Sequence, residues 1–220
     1  AGGTFHYLLG ETLNPKNTVV LDLCAGSPLS AKMEGVSLEK QIEIMDSFLR
    51  ENNAEIGVGK YGEARSFYSA KEFLNNSIDG EEKRTIHLGI DVFAPPGTSI
   101  YTPIDGVVHQ LQDNQSELDY GPTVILRHKI MDGPEFYTLY GHLGRECLNQ
   151  LEIGQVIKGG MQLTKIGNSN ENGGWLPHVH FQLILDLFDY EGNYPGVALP
   201  SGKKFWSSIC PDPGLMLSLD

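Results

Sequence analysis

Three things are scarce in this 220-residue chain: cysteine, positive charge and long apolar runs. The three cysteines, Cys24, Cys147 and Cys210, are odd in number and none belongs to a CxxC pair. The expectation is buried or free thiols in a reducing compartment rather than a disulfide framework. Lys and Arg number 16 against 28 Asp and Glu, a net charge of -12. That balance argues against nucleic acid, anionic membranes and polyanionic wall polymers as electrostatically steered partners. No apolar run approaches the roughly 18 residues of a membrane span. The opening Ala1-Gly2-Gly3-Thr4 has no basic region followed by an apolar stretch, so no secretory signal is visible. A cytoplasmic setting is favoured. A secreted or periplasmic one follows instead if a leader has been removed, and neighbouring domains outside this sequence remain an alternative.

What is abundant is punctuation. With 26 Gly, 12 Pro and 40% hydrophobic residues, the composition suits a turn-rich globular domain with one substantial core and a small extra piece. Residues 1–57 stand apart as an N-terminal extension. Val19 to Leu23 reads as a short strand, and Ser37 precedes Leu38, Ile42, Met45 and Leu49 on one face of a helix over 37–52, with Asn52-Asn53 as its stop. Residues 58–200 form a mainly antiparallel β domain. Strands are expected at 99–101, 106–111, 123–128, 136–140 and 178–185, separated by Gly, Pro, Asp and Asn. Asp79, Glu81 and Glu82 around Gly80 look like a solvated turn. Residues 201–220, with Pro211 and Pro213, are expected to be an irregular tail packed on the domain.

The chemistry concentrates in histidine. In Leu176-Pro177-His178-Val179-His180-Phe181-Gln182, the two imidazoles lie at i and i+2 of a strand and share a face. Upstream lie His87-Leu88-Gly89-Ile90-Asp91 and Tyr140-Gly141-His142-Leu143. Two histidines and an aspartate are the inventory of a catalytic zinc site with one position open for water. Such a site holds about one net positive charge and lowers the pKa of its water toward ~7. The other two histidines are then placed for acid–base work and oxyanion stabilisation. The plainer alternative is that each is an ordinary strand or turn histidine, the reading given to His6, His109 and His128. Trp175 and Asn172 precede the metal strand and are expected to line a substrate groove. Tyr140 is expected to pack rather than act.

These pieces resemble the lysostaphin/LytM-type zinc metallopeptidases, endopeptidases that cut peptide bridges of peptidoglycan. The resemblance rests on His87 to Asp91, Ala94 to Thr98, Pro103 to Val108, Tyr140 to Leu143, Gly154 to Gly159, Ile166-Gly167 and Pro177 to Phe181, in family order over residues 85–185. It implies Zn2+ held by His87, Asp91 and His180, catalytic His142 and His178, and an antiparallel sheet forming a groove. It also implies hydrolysis of a peptide or amide bond by a zinc-bound water, in a peptide or peptidoglycan-like substrate. The flanks Gly57 to Arg65 and Cys210 to Pro213 are similar to a subgroup whose peptidase-like domain sits between a kinase-like phosphotransferase and a PLP-dependent aminotransferase. That similarity favours the cytoplasm.

Two other functions compete. One is a non-catalytic zinc-containing peptide-binding or regulatory domain on the same fold. The other is a carrier domain, because the turns around Pro96 to Val108 and Gly154 to Gly167 resemble those of biotinyl and lipoyl domains. Its only candidate lysine, Lys158, lacks the Met-Lys-Met context. Residues 1–57 could also hold the site latent, with His6, Asn14 and Asp22 chemically able to plug it.

Overall fold

The computed structural model describes residues 5–66, 74–77, 80–130 and 133–217. Asp79 and the end of the tail lie outside the described residues. The N-terminal part holds β1 (Thr18–Leu21), α1 (Pro28–Met33), α2 (Leu38–Glu51) and β2 (Ile56–Gly59). Then come β3 (Leu74–Ser77), β4 (Gly80–Lys83), β5 (Ile86–His87), β6 (Ile90–Phe93) and β7 (Ser99–Tyr101). The middle is β8 (Gly106–Asn114), β9 (Gly121–Lys129), β10 (Glu135–Gly141) and α3 (Cys147–Gln150). Last are β11 (Val156–Ile157), β12 (Gln162–Lys165), β13 (His178–Ile184), β14 (Val197–Ala198) and α4 (Lys203–Ile209). None of the described helices is long and apolar enough to cross a membrane.

The chain is mainly β. Its principal sheet has eight strands in the order β1-β2-β6-β13-β10-β9-β8-β11. All neighbours are antiparallel except β1 and β2. The strands are built on alternation. On β13, Val179 and Phe181 join a core with Ile90, Val92, Val124, Leu126 and Tyr140 on one face. His178, His180 and Gln182 alternate with them and occupy the other. The turns that echo each other in sequence meet here, since Val156 pairs with Val107.

The N-terminal segment is more integrated than an added arm. Its strands β1 and β2 are the edge of the main sheet, with Gly59 opposite Asp91. Helix α2 follows the expected pattern, with Ser37 as N-cap and Asn52 as C-cap. Its Met45 is buried with Leu21, Leu23, Met33, Phe93 and Leu176. The short α1 was not foreseen. It starts on Ser27, whose side chain accepts from the Ser30 amide and donates to the Asp22 carbonyl, with Pro28 preset for the first turn.

The tail departs from the irregular segment expected over 201–220. Residues 203–209 form α4, and 3₁₀ turns occupy Pro200–Gly202 and Gly214–Leu217. The cause is aromatic anchoring. Trp206 packs against Tyr194 and Tyr190 outside the helix, with ring centroids 6.0 and 6.4 Å away. A helix of seven residues is too short to display a periodic pattern in sequence.

Candidate active site

Three strands deliver the expected ligands to one point. His87 ends β5, Asp91 lies in β6, and His180 lies opposite Asp91 in the β6–β13 register. All three are buried. His87 Nε2 lies 3.0 Å from His180 Nδ1 and 3.1 Å from Asp91 Oδ1, and His180 Nδ1 lies 3.0 Å from the same oxygen. These three atoms form a near-equilateral triangle. Its edge is a few tenths of an ångström shorter than the ~3.3 Å expected between ligands of tetrahedral zinc at about 2.0–2.1 Å.

The partners behind the ligands decide the tautomers. His87 Nδ1 lies 3.1 Å from the Lys60 carbonyl, which can only accept, so the ring proton is on Nδ1. The Gln182 amide donates to the Pro195 carbonyl at 3.1 Å and to Cys210 Sγ at 3.2 Å. Its Oε1 therefore faces His180 Nε2 at 2.8 Å and accepts the proton there. In the neutral rings, two bare nitrogens and a carboxylate oxygen are left facing one another. Three acceptors at 3 Å repel unless a cation sits among them, so the donor set fits a bound divalent metal.

Electrostatics agrees. Burial, aided by Arg65, lowers His87 to about 4 and keeps it neutral at pH 7, against the pull of Asp91. Burial pushes the Asp91 carboxyl up, but His87, Arg65 and His178 together hold it well below the usual carboxylate range. Because His87 is neutral at pH 7, the Arg65 guanidinium is the lasting cause. Its Nη1 lies 2.5 Å from Asp91 Oδ2.

His142 and His178 stand beside this triangle, their ring centroids 4.3 Å apart. His178 Nδ1 donates to the Leu176 carbonyl at 2.6 Å, and His142 Nδ1 to that of Asn172 at 2.9 Å. Both rings thus present a bare Nε2. Burial keeps both neutral, outweighing the opposing effect of Asp91. His142 adopts φ 62°, an uncommon conformation for a side-chain-bearing residue. It is held there by its amide donating to the Tyr120 carbonyl and its carbonyl accepting from Gly167.

A cavity of about 680 Å³ opens over these residues, within the range of small-molecule and peptide sites. Trp175 lines it as expected. Asn172 does not. It is fully buried, its Oδ1 accepting from the Gly174 and Trp175 amides and its Nδ2 donating to the Trp175 carbonyl. Asn172 shapes the loop and holds His142 rather than lining the groove. Tyr140 packs in the core, and His128 is satisfied by the Asp105 carbonyl and Thr138. Lys158 is engaged by Asp105 at 2.8 Å.

Sequence reasoning missed several contributors. Tyr120 lines the cavity with its ring 5.3 Å from His180 and 5.5 Å from His142. Leu23, Met33, Glu34, Val36 and Leu38 from the N-terminal segment form another wall, whereas His6, Asn14 and Asp22 do not line the cavity. In sequence, Glu63 and Arg65 stand out only as part of the flank Gly57 to Arg65. The signal available for them was a charged pair beside the glycines of a buried strand.

Residues 85–189 match the model of Peptidase family M23. The peptidoglycan DD-endopeptidase ShyA of Vibrio cholerae is 31% identical over 99 residues, 45% of this chain and 20% of that protein. The DD-carboxypeptidase/endopeptidase Mpg of Neisseria meningitidis serogroup B is 34% identical over 116 residues, 53% of this chain and 24% of that protein. The chain thus spans about a fifth to a quarter of the length of these relatives. Among solved structures, the catalytic domain of lysostaphin from Staphylococcus simulans aligns with a TM-score of 0.42 at 20% identity, covering 61% of this chain and 80% of that one. Residues 85–189, just under half of the chain, are thus similar to the peptidases of family M23.

Proposed function

We propose that this peptidase domain is zinc-dependent and cleaves a peptide or amide bond in an extended substrate lying in the cavity. His87 Nε2, Asp91 Oδ1 and His180 Nδ1 hold the ion. The observation that carries the reading is the convergence of these three acceptors with no ring proton left to stand between them. When bound, zinc supplies Lewis acidity toward the scissile carbonyl and acidifies the attacking water.

The chain's own groups do the rest. His142 and His178, neutral and anchored through Nδ1, present Nε2 lone pairs above the ligand triangle. One accepts the proton of the attacking water. Protonated, it hands that proton to the leaving amine, while the other ring, its Nε2 also bare, accepts a hydrogen bond from the water or the amine and orients it. Tyr120 and Trp175 flank the groove and restrict water. The names of the Vibrio and Neisseria relatives support peptidoglycan-like peptides as the first substrate class to test.

Elemental analysis of protein purified without added metal tests the reading. One zinc per chain is expected, and none in His180→Ala. A panel of short Gly- and D-Ala-containing peptides should then be cleaved by wild type alone. Zinc without cleavage of any member would favour a binding domain, and no zinc uptake would sink the metal centre.

A further inference from the structure

The sequence motif Gly57 to Arg65 finds no role in the reaction above, yet it wraps the back of the ligand triangle. The Lys60 carbonyl takes the His87 ring proton, and the Glu63 carbonyl accepts from the His87 amide. At its end Arg65 is 2% exposed, a rare state for arginine unless it is paired. Nη1 lies 2.5 Å from Asp91 Oδ2, while Nε and Nη2 lie 3.2 and 3.1 Å from Glu63 Oε2. Glu63 is itself held by the Leu23 amide at 3.3 Å. Space for the guanidinium comes from Gly59, directly across the ladder from Asp91, where a Cβ would sit 2.6 Å from Arg65 Nη2.

We infer that Arg65 is a positioning residue of the metal centre: braced by Glu63, it occupies Asp91 Oδ2 so that the carboxylate offers the metal only Oδ1. This rests on the zinc reading above. The two oxygens of Asp91 are divided between opposite neighbours, the guanidinium on one side and the two imidazoles on the other. A carboxylate with both oxygens free can swing or bind through both. One clamped by a planar cationic donor cannot, and its charge is partly spent, which leaves more Lewis acidity on the ion. Glu63 balances the arginine, so the clamp adds no net charge.

The test is zinc affinity by chelator competition near neutral pH, with the visible spectrum of the cobalt(II)-substituted protein. Glu63→Gln/Arg65→Met removes one charge of each sign and keeps the total. It should bind zinc about 10–100-fold more weakly, the usual effect of losing a ligand's supporting partner. Its cobalt bands should weaken as Asp91 turns to two-oxygen binding. Arg65→Lys, which keeps the charge but not the fork, should move both readouts the same way and serves if the double variant fails to fold. Folded variants with wild-type affinity and spectrum would make the triad a structural ion pair and overturn this inference alone. A wild type that takes up neither metal would overturn the zinc reading with it.

Discussion

At the residue scale, backbone carbonyls leave Nε2 bare on His87, His142 and His178 and Gln182 leaves Nδ1 bare on His180, so position rather than the bare atom sets the proposed ligands apart from the proposed proton carriers. His180 is tied through Gln182 to the Pro195 carbonyl and Cys210, so a ligand ring is oriented by groups 13 and 28 residues beyond that glutamine. His178, one pleat away on the same face, stacks on Phe93 with centroids 4.7 Å apart and keeps 3.8 Å from Asp91. It is near the proposed metal centre without belonging to its triangle of His87, Asp91 and His180. His178→Ala and His142→Ala should therefore each retain zinc and lose about 10²–10⁴-fold in kcat, the usual scale of general acid–base catalysis. Elemental analysis paired with peptide turnover checks this, and wild-type turnover in His178→Ala would refute the assigned roles. Gly89 explains another part of the motif. A Cβ there would lie 2.7 Å from His180 Cε1 and from the Phe181 carbonyl oxygen, so only glycine lets His87 and Asp91 flank His180 closely.

At the element scale, the sheet brings His87, Asp91 and His180 together and the N-terminal helices close one side. Helix α2 was visible in sequence because its apolar residues recur at helical spacing after a good N-cap. The destination of that face was not visible. It packs with Phe93 of β6 and Leu176 just before β13, both of which line the cavity. Met45→Ala should destabilise the fold by about 2–5 kcal/mol, the range for emptying a buried methionine site. A lowered urea midpoint would measure it. An unchanged midpoint would mean that α2 is not coupled to the sheet. Helix α4 went unforeseen because one tryptophan anchor carries no period.

At the scale of the whole molecule, the buried histidines make stability depend on pH. His87 is lowered from 6.5 to about 4, and burial lowers His142 and His178 as well. Each binds fewer protons folded than unfolded below its ordinary value, so stability rises with pH across that interval. The contribution is complete above about pH 6.5 and is lost as pH falls toward 4, about 3 kcal/mol for His87 alone. Metal-stripped protein should show a clearly lower urea midpoint at about pH 4.5 than at about pH 7. Equal midpoints would show that these rings are not buried neutral in solution. The acidic balance of the chain adds self-repulsion at high pH, which works in the other direction.

The sequence by itself determined the β class, helix α2 and the set of histidines and aspartate that meet. Strand alternation, helical spacing and motif order are local, and they survive without knowledge of partners. Only the tertiary structure decided which atom of each ring is left bare at the candidate site, because the deciding carbonyls and amide come from Lys60, Leu176, Asn172 and Gln182. It likewise turned Asn172 from a groove residue into a loop brace, and brought Arg65 to Asp91 across 26 residues. Tyr120 and the α1–α2 wall belong to the cavity through packing over long sequence separations. Such contacts depend on sheet order and register, and no short-range pattern encodes them.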